Sequence, residues 1–88
     1  MAEPESLIEY PSAFPIKIMG RAKPNLAQVI LEIVTRHDPG FDGARMEMRA
    51  SSGGNYVSLT CTITATSRPQ LDALYRELSG HPLVKVVL

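Results

Sequence analysis

Residues 45–65, RMEMRASSGGNYVSLTCTITA, decide the fold of this chain. The run Ser51-Ser52-Gly53-Gly54-Asn55 is dense in turn formers and sits between two stretches that alternate apolar and polar residues, which predicts a hairpin closed by a longer loop. On the second arm Val57, Leu59, Cys61, Ile63 and Ala65 share one face, and Tyr56, Ser58, Thr60, Thr62 and Thr64 share the other. Such length and regularity suit a central strand. On the first arm Met46, Met48 and Ala50 oppose Arg45, Glu47 and Arg49, and the mixed charges suit a sheet edge.

The period changes on either side of this hairpin. Upstream, Leu26, Val29, Ile30, Ile33 and Val34 follow the stripe of a helix lying on a sheet, with Pro24 suited to its first turn and residues 36–40, RHDPG, to its stop. Downstream, Ser67 with Gln70 three positions on resembles a capping box, and Leu71, Leu74, Tyr75 and Leu78 form the buried stripe of a second helix. Two further strands flank the helices. Phe14, Ile16 and Ile18 point one way with Lys17 and Met19 the other, and Val84, Val86 and Leu88 mark a last apolar strand over residues 83–88.

The order is therefore β-α-β-β-α-β, which predicts an α+β ferredoxin-like sandwich: a four-stranded antiparallel sheet in the order 4-1-3-2 with two helices on one face. A length of 88 residues allows one domain, expected over residues 14–88, behind an N-terminal arm over residues 1–13 that holds one short helical turn near residues 6–9.

Composition narrows the function classes. Nine basic and nine acidic residues give a net charge of zero, so no long-range field gathers nucleic-acid backbones or anionic lipid. Cys61 stands alone, which rules out an internal disulfide and fits a reducing compartment. The acidic, proline-broken start differs from a secretory signal, and no apolar run approaches the roughly 20 residues of a membrane helix. A cytoplasmic protein is expected, without nucleic-acid or membrane partners.

Several activities of this fold need residues that are missing here. A soft-metal chaperone needs paired thiolates in the first strand-to-helix loop, where this chain has Gly20-Arg21-Ala22-Lys23. A phosphate-cradling hydrolase loop is reduced to Arg21. Single-stranded RNA binding, kept as an alternative, calls for aromatic residues on the outward sheet face, where Lys17, Met19, Thr60, Thr62 and Thr64 are expected. His37 at a helix end reads as a favourable charge near the carbonyls, and His81 beside Pro82 reads as part of a turn. Ser51, Ser52 and Ser58 lack an evident base. No catalytic residue, cofactor or metal site is assigned.

Residues 14–20 (FPIKIMG), 36–40 (RHDPG), 51–58 (SSGGNYVS) and 84–88 (VKVVL) resemble the YbeD-like family of small bacterial proteins over most of the chain. The resemblance implies a ferredoxin-like fold similar to ACT regulatory domains and no established activity, with the loop over residues 40–43 free to vary. ACT-like domains associate side by side and hold ligands near the loop after the first strand. By that analogy Gly20, Arg21 and Lys23 are candidates for a small anionic ligand.

The hairpin tip gives a second candidate from its own chemistry: Ser52, Gly54 and Asn55 expose backbone amides able to cradle an anion. A third is a surface for an unknown protein partner or for self-association through a sheet edge. It comprises the outward Thr60, Thr62 and Thr64 and the last strand with Val84, Lys85, Val86 and Val87. The expected function is a non-catalytic regulatory or protein-interaction module. A small anion sensor or an enzyme of small molecules is the alternative.

Overall fold

The computed structural model describes residues 9–51 and 53–88. The helical turn expected near residues 6–9 lies outside the described residues apart from Glu9, which is not helical, and Ser52 lies outside them as well. Strand β1 (Ser12–Arg21) leads to helix α1 (Leu26–His37), a short 3-10 turn (Gly43–Arg45), strands β2 (Glu47–Ala50) and β3 (Tyr56–Ala65), helix α2 (Arg68–Gly80) and strand β4 (Val84–Val87). The sheet order is β2-β3-β1-β4, antiparallel throughout. This is the ferredoxin-like sandwich, with both helices on one face.

β1 and β3 pair over ten residues each, from Ser12 opposite Ala65 to Arg21 opposite Tyr56. Ile16, Ile18, Leu59, Cys61 and Ile63 point from this central pair into the core, where they meet Leu26, Ile30, Ile33 and Val34 of α1 and Leu71, Leu74 and Leu78 of α2. Each fully buried aliphatic side chain contributes about 1.5–3 kcal/mol relative to exposure, so this layer supplies most of the stability.

Local chemistry fixes the ends of the elements. At the start of α2 the Ser67 hydroxyl accepts from the Gln70 N–H at 3.2 Å. Gln70 Oε1 accepts from Thr66 N at 2.7 Å, while its Nε2 donates to the carbonyls of His37 (2.9 Å) and Thr64 (3.1 Å). One carboxamide thus ties together the end of α1, the end of β3 and the start of α2. Asp38, buried just past α1, accepts from Thr64 N at 2.9 Å and joins α1 to β3.

Four expectations change in detail. β1 begins at Ser12, two residues ahead of Phe14. The stretch read as a strand from Arg45 starts at Glu47, because the Asp42 carboxylate accepts from Ala44 N at 3.0 Å and sets up the 3-10 turn. The loop expected to vary freely places Phe41 in the core. The last strand is shorter than residues 83–88, and its pairing with β1 slips between Met19 and Gly20, leaving Lys85 bulged between Val84 and Val86.

Candidate functional site

The loop after β1 and the tip of the β2–β3 hairpin come from separate parts of the sequence, and the sheet brings them together. Arg21 and Tyr56 are cross-strand partners at the end of the central pair, so whatever follows β1 lies beside whatever precedes β3. A hydrogen bond from Ala22 N to Asn55 O at 3.0 Å closes the junction. The tip is held by Ser51: its carbonyl accepts from Gly54 N at 3.0 Å and its hydroxyl from Tyr56 N at 3.2 Å. Gly54 adopts φ +74°, a conformation that glycine takes without strain.

Around that junction Arg21, Lys23, Gly54, Asn55 and Tyr56 line a cleft of about 300 Å³. Among the described residues two cations and a carboxamide face it, and none of those that line it is a carboxylate. The cleft therefore favours an anion on simple charge grounds, with the flexible ammonium and the planar guanidinium as complementary donors. The two candidate groups in the sequence meet here, except for two members. Gly20 is buried under Leu26 and the Leu83 carbonyl and does not line this cleft, and Ser52 lies outside the described residues.

The other polar candidates have structural partners. His37 Nε2 lies 2.7 Å from Glu77 Oε1 on α2, and Arg36 pairs with the same carboxylate, so this histidine bridges the helices and is not turned to the α1 carbonyls alone. His81 Nδ1 accepts from Leu83 N at 3.1 Å. Ser58 Oγ donates to the Arg49 carbonyl at 3.5 Å, and Ser51 is used by the hairpin as described. Cys61 is enclosed in the core, and burial pushes its thiol up to about 11. Among the described residues, no three of His, Cys, Asp and Glu gather as metal ligands.

On the bare sheet face, Thr64 is exposed and Thr60 and Thr62 are half-buried. In β4 the proposed contact residues divide. Val86 and Lys85 are exposed, whereas Val84 is buried and Val87 half-buried toward the helices, so these two offer an edge only their backbone. Sequence reasoning misses two features of this face. Arg21, Arg49 and Lys17 outnumber Glu47 on it, because the overall charge balance conceals a local excess. Alternation places Tyr56 outward but does not join it to Met19, its diagonal neighbour across β1 and β3. The pairing of β1 with β3 supplies both, and composition carries neither.

Fold and cleft together define a small ferredoxin-like α+β domain with a cationic hollow at one end of its sheet. Within that class the chain belongs to the bacterial family described as "Protein of unknown function (DUF493)", whose model matches residues 5–88. It is 63% identical over 84 residues to a UPF0250 protein of Bordetella pertussis, covering 96% of this chain and 92% of the relative. A UPF0250 protein of Leptothrix cholodnii shows the same identity and coverage. A UPF0250 protein of Ralstonia nicotianae is 62% identical over 96% of this chain and 87% of its own length. The resemblance to the YbeD-like family is thereby carried across nearly the whole chain. Among the described residues no helix is long and apolar enough to cross a membrane.

Proposed function

We propose that this chain is a non-catalytic regulatory module that senses a small anionic ligand in the cleft between the β1–α1 loop and the β2–β3 tip. The observation that carries this reading is the convergence of Arg21, Lys23 and Asn55 on one hollow whose described lining holds no carboxylate. Its volume, about 300 Å³, lies at the lower end of the range typical of small-molecule sites. Support for the non-catalytic part comes from the groups able to do chemistry. The Cys61 thiol is buried and held protonated at neutral pH, and the side chains of His37, His81, Ser51 and Ser58 are engaged in holding elements together.

The test is thermal unfolding in inorganic phosphate and in citrate. At a ligand concentration of 100 Kd, binding adds about 2.7 kcal/mol, which for a domain of this size raises Tm by roughly 15 °C. Arg21→Ala combined with Lys23→Ala is expected to remove most of that rise while leaving the ligand-free Tm nearly unchanged, since both side chains are exposed. Equal stabilisation of the double variant, or no response of the parent to either anion, would refute the reading.

A second reading, contact with a protein through the bare sheet face, is favoured by a specific observation. Val86 is 43% exposed, Leu88 68%, Met19 37% and Tyr56 37%, all on the side away from the helices. Val86→Ser separates the readings, because it removes apolar surface from this face without adding charge near Arg21 and leaves the anion response intact.

A further inference from the structure

A second hollow lies beside the cationic cleft, across Ala22 and Lys23: a groove of about 430 Å³, lined further by Pro24, Leu26, Ala27, Met48 and Val57. The two hollows share Ala22 and Lys23, so one wall of chain is common to both. The groove exists because β2 lies at the sheet edge beyond the cover of the helices. Met48, paired with the core residue Leu59, faces the helix side and is still 64% exposed. Among the described residues Lys23 is the only one lining the groove with a charged side chain, and it belongs equally to the cleft that holds Arg21.

We propose that the ligand of the cleft is an aliphatic carboxylate, its anionic head held between Arg21 and Lys23 and its alkyl chain lying in the groove against Met48 and Val57; this rests on the anion-binding reading above. Charge complementarity selects the occupant. A neutral apolar chain would leave the two cations unpaired, and a wholly polar anion would leave an apolar groove open to water next to it. Methionine suits the outer wall, since its unbranched thioether adapts to a chain of variable path.

The experiment is calorimetric titration of the full chain with acetate, hexanoate and decanoate below the micelle-forming concentration, with 1-decanol and inorganic phosphate in parallel. Affinity is expected to tighten about twofold per added methylene, since an open groove buries only part of each. Met48→Thr keeps a strand-forming residue at an exposed position and is expected to lose most of the chain-length gain with phosphate binding unchanged. Lys23→Ala is expected to weaken decanoate and phosphate alike. A flat series from acetate to decanoate, or decanol binding as tightly as decanoate, overturns the aliphatic ligand and leaves the anion reading standing. Absence of any response to phosphate and carboxylates in the parent chain removes both.

Discussion

Gly20 shows how a single residue changes meaning once its neighbours are known. In the sequence it ends a strand and opens a loop beside Arg21, which makes it a ligand candidate. In the fold a Cβ at this position would stand 2.6 Å from the Leu83 carbonyl oxygen and 2.9 Å from Leu26 Cδ1. The oxygen belongs to the chain entering β4, and the same carbonyl accepts from Arg21 N at 3.0 Å, so it cannot move without breaking that pairing. Gly20→Ala is therefore expected to cost about 1–3 kcal/mol by overpacking, outweighing the smaller gain from a stiffer unfolded chain. Urea unfolding measures it, and a variant as stable as the parent would show that β4 has room to retreat. Asp38 is equally opaque in the sequence, where it reads as part of a helix stop. Its bond to Thr64 N joins residues 26 apart, and no local pattern encodes that.

At the level of elements, legibility follows burial. The alternation in β3 gives its observed bounds, Tyr56–Ala65, because a strand covered on one face by helices and paired on both edges must alternate strictly. The stripes of α1 and α2 are legible for the same reason. The pattern overextends β2, since a strand exposed at every position places little constraint on its own residues and the Asp42 turn competes for the first of them. The start of α2 is legible in Ser67 and Gln70, although the return bond goes to Thr66 N, one residue ahead of the reciprocal partner a capping box uses. Ser67→Ala is expected to cost about 1 kcal/mol, the usual effect of removing an N-cap hydroxyl. Gln70→Ala should cost more, because three backbone groups around the junction of two helices and a strand lose their partner. Chemical denaturation of the two variants gives the order, and a Ser67→Ala loss exceeding that of Gln70→Ala would mean that the carboxamide is replaced by water at little cost.

For the molecule as a whole, a net charge of zero conceals a division that the topology creates. Strand alternation sends Lys17, Arg21 and Arg49 to the bare face with Glu47 as the acidic residue of the same rows, whereas on the helices Glu32, Asp72 and Glu77 are matched by Arg36, Arg68 and Arg76. Arg76, an exposed residue of α2, belongs to the helix layer with these carboxylates. The cleft and the apolar row from Tyr56 to Val86 both border the basic rows, so either function would draw on the same field, which reaches about 10 Å at 0.1 M salt. Cation-exchange chromatography near pH 7.5 and low salt separates this arrangement from an even one. Each of Lys17→Ala, Arg49→Ala and Arg76→Ala removes one positive charge, so a uniformly charged particle would elute all three alike. The segregated face predicts that Lys17→Ala and Arg49→Ala elute clearly earlier than Arg76→Ala, with the difference vanishing as the Debye length shrinks to about 3 Å near 1 M salt. Identical elution of the three would mean that the basic rows do not act together, and the electrostatic basis for an anionic ligand would then rest on Arg21 and Lys23 alone.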